Sequence, residues 1–128
     1  HLGLTPQSIH KFGGYGLRAK EAAEAAKLLS DAHALSDAGC FAITLEKVPA
    51  KLAAQVTREV KAVTIGIGAG PDTDGQVLVY ADALGMTQGF KPKFLRRFAD
   101  MSKTMTDGVQ AYVNAVKTGE FPNAGESY

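Results

Sequence analysis

Two short runs made almost wholly of apolar residues, CFAITL at 40–45 and AVTIGIGAG at 62–70, constrain the fold of this chain most tightly. Runs of this length without regular polar alternation predict strands buried on both faces. Helical patterns precede both. From residue 20 to about 38, Ala22, Ala25, Ala26, Leu29, Ala32 and Leu35 recur at helical spacing, and Gly39 follows as a stop. Between the two runs, Pro49 suits the first turn of a helix with Ala53, Val56 and Val60 on one face. Helix, apolar strand, helix, apolar strand predicts an α/β fold: a parallel sheet covered on both sides.

The remaining segments read less sharply. Residues 1–17, with their Gly, Pro and aromatic residues, read as loop. Residues 75–85 (GQVLVYADALG) form a short apolar segment in which helix is favoured, ending at Gly85. Residues 93–118 predict a long amphipathic helix carrying Phe94, Leu95, Phe98, Met101, Met105, Val109, Tyr112, Val113 and Val116, stopped by Gly119. The tail after it reads as loop.

Composition narrows the function classes. A chain of 128 residues, 45% hydrophobic and 21% charged, is expected to be one globular domain. Its net charge is +1 with Lys and Arg scattered, which gives no case for nucleic acid or an anionic membrane as partner. No stretch approaches the roughly 20 apolar residues of a membrane span, and no signal peptide is read. The one cysteine, Cys40, cannot form an internal disulfide; it reads as a small core residue and favours a reducing compartment. The chain opens on His in mid-motif rather than on Met, as expected of a piece of something longer.

Glu46 ends the first apolar run. In parallel α/β folds the active site gathers at the C-terminal ends of the strands, so a carboxylate there is a candidate catalytic group. A surface ion pair beside Lys47, or capping of the following helix, is the alternative. Gly66, Gly68 and Gly70 fall at the end of the second run. Their spacing is G-x-G-x-G, and the turn Pro71-Asp72-Thr73-Asp74-Gly75 follows instead of a helix, so a dinucleotide fingerprint is not supported. Close backbone approach to a ligand and tight packing of strand on loop both remain open for these glycines.

Together HLGLTPQS, GGY, LEKVPAKLA, IGIGAGPDTDGQVLV and KPKFLRRFAD…AYVNAVKTGEFPN resemble the C-terminal half of the ketopantoate hydroxymethyltransferase (3-methyl-2-oxobutanoate hydroxymethyltransferase) family. The departures are local: Ala62-Val63 before the glycine strand, Arg18-Ala19-Lys20-Glu21 after GGY, and Glu126-Ser127-Tyr128 at the end. The resemblance implies a (β/α)8 barrel of the phosphoenolpyruvate/pyruvate-binding type, of which residues 1–128 are one half of a single domain. It implies a cytoplasmic enzyme of pantothenate and coenzyme A biosynthesis. Such an enzyme moves a one-carbon unit from 5,10-methylenetetrahydrofolate to C3 of 3-methyl-2-oxobutanoate, giving ketopantoate. It uses Mg²⁺ and assembles as a large homo-oligomer, typically a decamer. By the same resemblance Glu46 is the proton acceptor and His1 lines the substrate site. The metal ligands and a substrate-binding lysine belong to an N-terminal half absent from this chain, which by itself is expected to be inactive. His1 as an exposed end residue is the alternative for that position. For the whole chain, the alternatives are a non-catalytic half-barrel that self-associates and a superfamily lyase acting on another 2-oxo acid.

Other polar residues read as structural. His10 and His33 have no partner at ligand spacing, and His33 falls on the polar or boundary face of the first helix. Asp72 and Asp74 shape a turn, with a metal site as the alternative. Lys91, Lys93, Arg96 and Arg97 form a solvated basic cluster, with an anionic folate tail as the alternative. Tyr15 is expected to pack on its own scaffold, with packing over a ligand as the alternative.

Overall fold

Among the described residues, 1–89 and 91–128, the strands β1 (Leu2–Gly3), β2 (Ala42–Glu46), β3 (Val63–Ile67) and β4 (Gly75–Gln76) of this computed structural model lie side by side in that order, all parallel. The two apolar runs are neighbours, paired from Ala42 opposite Val63 to Glu46 opposite Ile67. The chain divides into two compact units, residues 1–78 and 79–128.

The first unit holds the sheet with helices α1 (Ile9–Phe12), α2 (Ala22–Asp37) and α3 (Ala50–Glu59). Alternation along β2 sends Ile43 and Leu45, 1% and 0% exposed, toward the helices, where they meet Leu28, Ala32, Leu52, Ala53 and Val56. Ala32 and Ala53, both 0% exposed, keep the helix backbones close to the strands. Each fully buried aliphatic side chain stabilises the fold by about 1.5–3 kcal/mol. Thr64, the buried polar residue of this layer, is satisfied. Its N–H and hydroxyl donate to Asp74 Oδ2 at 2.7 and 2.9 Å, and its Oγ1 lies 2.8 Å from Thr57 Oγ1.

Several expectations need correction. Helices of this unit cover one face of the sheet; on the other, Ala42, Thr44, Glu46, Ile65 and Ile67 are half-buried and Val63 is exposed. Residues 40 and 41 are not strand: the Cys40 N–H donates to Leu35 O at 3.1 Å, closing the end of α2, and pairing starts at Ala42. Cys40 is therefore exposed rather than core, and Phe41 is 90% exposed. Residues 1–17 are not all loop. They hold β1, a 3-10 turn at Pro6–Ser8 and α1, elements too short to show a period. Pro49 stands at the N-cap of α3, one residue before the first turn.

Residues 75–85 divide between strand β4, in the first unit, and helix α4 (Tyr80–Ala83) in the second. The last helix, α5 (Met101–Thr118), starts eight residues later than its apolar spacing suggests. Asp100 caps it, accepting from Lys103 N at 3.2 Å, while Phe98 N and Met101 N donate back to Ala83 O and Leu84 O. Phe94, Leu95 and Phe98 therefore precede the helix. Gly119, with φ +74°, ends it as expected, and a 3-10 turn (Ala124–Glu126) follows.

Candidate active site at the strand ends

Glu46 is the last residue of β2, opposite Gly3 on one side and Ile67 on the other. Alternation places its side chain on the face away from the helices, at the end of the sheet where parallel α/β folds do chemistry. It is 17% exposed, and its Oε2 lies 3.1 Å from His1 Nε2, whose ring is 36% exposed. Two residues far apart in sequence meet because the parallel register sets Leu2 beside Leu45 and so brings His1 alongside the end of β2. Burial pushes the Glu46 carboxyl above its ordinary value, and the neighbouring Lys47 ammonium opposes that by favouring the charged form. The result is a carboxylate of raised basicity held by an imidazole.

Backbone bonds lace the surroundings together. Leu4 N donates to Glu46 O at 2.8 Å, Lys47 N to Ile67 O at 2.9 Å, and Arg18 N to Lys47 O at 2.8 Å. Lys47 itself has φ +47°, and its Nζ donates to the Tyr15 carbonyl. The Arg18 guanidinium pairs with Glu24 and lies 4.0 Å over the Phe12 ring. Sequence reasoning missed the roles of Lys47 and Arg18: a positive φ on lysine has no compositional signature, and the Lys47 ammonium and the Arg18 N–H meet backbone carbonyls set by the fold.

The other candidates fall elsewhere. A Cβ on Gly70 would meet Ala50 Cβ at 2.3 Å, and one on Gly66 would meet Thr73 Oγ1 at 2.6 Å, so these glycines serve close packing of strand and loop. Asp74 is occupied by Thr64, whose hydrogen bonds hold its carboxyl below the usual range. Asp72 is exposed. His33 does have a partner, Glu59 Oε2 at 3.0 Å, in a clasp between α2 and α3; bonds from Gln55 and His33 keep Glu59 below its ordinary value. Tyr15 is 65% exposed and contributes its carbonyl rather than its ring. In the second unit, Arg97 donates to Thr87 O at 2.6 Å and Arg96 lies 5.8 Å over Phe98.

Among the described residues no group of three or more His, Cys, Asp or Glu side chains is placed to hold a metal. At Glu46 the donors are one carboxylate and one imidazole, whereas Mg²⁺ takes a near-octahedral shell of oxygens. The pair does not fit that ion. No described helix is long and apolar enough to cross a membrane.

Comparison with known proteins gives one consistent result. The chain is 60% identical over all 128 residues to a 3-methyl-2-oxobutanoate hydroxymethyltransferase of Phocaeicola vulgatus, covering 47% of that protein. It is 58% identical to the enzyme of the same name from Caldicellulosiruptor saccharolyticus, covering 48%, and 56% identical to that of Porphyromonas gingivalis, covering 47%. The chain thus spans about half the length of the curated relatives it matches. Residues 1–124 match the ketopantoate hydroxymethyltransferase family, whose fold is a (β/α)8 barrel, and the parallel βα units described above are a portion of one. With nearly its whole length matched, the chain belongs to the ketopantoate hydroxymethyltransferase family.

Proposed function

We propose that this chain is the C-terminal half of an enzyme that transfers a hydroxymethyl group from 5,10-methylenetetrahydrofolate to 3-methyl-2-oxobutanoate, giving 2-dehydropantoate, and that Glu46 is its base. The observation that carries the reading is the placement of Glu46: a mostly buried carboxylate, raised by desolvation, at the C-terminal end of a parallel strand. Proton removal beside a ketone needs a base whose pKa approaches the working pH, and burial moves a carboxyl in that direction. In the step proposed, Glu46 accepts the C3 proton. The electron pair left behind is delocalised into the 2-oxo group as an enolate, and C3 then bonds to the one-carbon unit. Water supplies the hydroxyl oxygen, both C–N bonds to the donor break, and the C3 proton and one water proton end on the two nitrogens of the departing tetrahydrofolate. His1, engaging Oε2, holds the carboxylate in one orientation so that Oε1 takes the proton. Mg²⁺, the cofactor the resemblance implies, would stabilise charge on the enolate oxygen. Its ligands are proposed to lie outside this chain, and no step here is routed through it.

The test is exchange of the substrate C3 proton for deuterium, followed by NMR in the full-length protein. Glu46→Gln keeps the size and hydrogen bonding but removes the acceptor, so exchange should fall about 10²–10⁴-fold with substrate binding largely kept. Exchange within about threefold of wild type would end the assignment of the base.

A further inference from the structure

We propose that Lys47 is a positioning residue of this site: from a left-handed backbone it fixes the end of β2 that carries Glu46, and its ammonium fastens the loop of residues 13–18 beside that end. The inference rests on the reading of Glu46 as the base.

Lysine rarely occupies positive φ, and a residue held there by its surroundings marks a place where geometry is imposed for a purpose. Here the imposition has identifiable sources. The Lys47 N–H is tied to Ile67 at the end of β3, its carbonyl accepts from Arg18, and its ammonium reaches the Tyr15 carbonyl. The peptide immediately after Glu46 is thereby stitched to a neighbouring strand and to a loop, which limits how far the carboxylate can swing. The loop needs such a fastening. Gly13, Gly14 and Gly16 each look onto open space where a side chain would sit, and Tyr15 and Leu17 are 65% and 45% exposed. Its middle is held through the Tyr15 carbonyl, by Lys47, and its end by the Arg18 N–H, again on Lys47.

The charges facing Glu46 can be named from each side. His1 approaches from the β1 side and Lys47 from the adjoining turn, while the Arg18 guanidinium is engaged by Glu24. An ammonium next to a carboxylate favours its ionised form, which is the form that takes a proton. Removing it makes Glu46 harder to ionise, so the acid limb of kcat/KM should move to higher pH.

Three variants of the full-length protein test the proposal. Lys47→Met keeps the stem and loses the charge. Lys47→Gly loses the charge but suits positive φ, and Lys47→Arg keeps the cation. With Met and Gly the acid limb should move to higher pH by similar amounts, and kcat/KM should drop about three- to tenfold, mostly through KM. Amide hydrogen exchange in residues 13–18 should speed up in both, with α2 and α3 unchanged. The Arg variant should keep the limb where it is, and the Gly variant should melt no lower than wild type. A residue that only stabilised the fold would shift melting without moving the limb. An acid limb unmoved in both Met and Gly variants, or loop amides that exchange as in wild type, overturns the proposal. If Glu46→Gln leaves C3 exchange intact, the base reading fails instead, and loop exchange still decides whether Lys47 is the fastening.

Discussion

Replacing Gly3 with alanine probes the closeness of β1 to the end of β2, on which the pairing of His1 with Glu46 depends. Gly3 has φ +87°, where an alanine costs about 1–2 kcal/mol. A Cβ built there would sit 2.2 Å from the Glu46 carbonyl oxygen and 2.6 Å from Val48 Cγ1, whereas ordinary contact begins at 3.4 Å. Neither neighbour can yield cheaply, because one is strand backbone and the other a buried side chain, 2% exposed. Relief means parting β1 from β2. That stretches the Leu4 N to Glu46 O bond, now 2.8 Å, for about 0.5–1.5 kcal/mol, and disturbs packing around Leu4 and Val48 for about 1–3 kcal/mol. The total is about 2.5–6.5 kcal/mol. Gly13→Ala is the matched control: its φ is +70° but no atom lies within 4 Å of the added Cβ, so only the backbone term of about 1–2 kcal/mol remains. Urea midpoints of the two variants in the full-length protein should differ in that sense, and C3 exchange should fall in Gly3→Ala alone. Equal losses in both would refute the close approach of β1 and the site geometry built on it.

Two further outcomes follow from the titrating groups. The Glu46 carboxyl is raised in the folded protein, so its contribution to stability is present below the ordinary value of 4.5 and is lost as pH rises through its folded value; Glu46→Gln should melt at or above wild type at neutral pH, with the gap closing in acid, as read by thermal melts across pH. Asp74 behaves oppositely: Thr64 holds it below 3.8, so it stabilises above that value and the benefit fades as pH falls. Asp74→Asn should melt below wild type at neutral pH and match it in strong acid, and equal melting at neutral pH would show that the carboxylate is not what ties β3 to the turn before β4.

The strand pair was legible because β2 and β3 are dense enough in apolar residues to stand out at five residues each. Their ends were not. Cys40 and Phe41 have the hydrophobicity of strand residues, but hydrophobicity does not report where pairing with Val63 begins, and the end of α2 takes up the Cys40 N–H. In the last helix the apolar spacing runs through residue 94, yet Asp100 caps the helix and residues 98 and 101 bond back to the end of α4 and its C-cap Leu84, a choice made by hydrogen bonds the pattern cannot encode. His1 and Glu46 were named from motif and strand end. Their 3.1 Å contact, however, is a product of the β1–β2 register, and β1 is two residues long, below any periodic signal.

The uniform look of residues 42–46 also concealed an asymmetry that bears on chemistry. Ile43 and Leu45, the large side chains, go to the helix layer, while Ala42, Thr44 and Glu46 share the other face. In a closed (β/α)8 barrel the face away from the helices is the barrel interior. Ala42 and Thr44 present small side chains to that face, and Glu46 stands at the C-terminal end of the strand. A second carboxylate beside Glu46 would change its ionisation, since like charges raise one another's pKa. The alternation of large and small along five residues thus performs two tasks at once: it anchors β2 to its helices through Ile43 and Leu45, and it sets the Glu46 carboxylate at the C-terminal end of the face turned away from them.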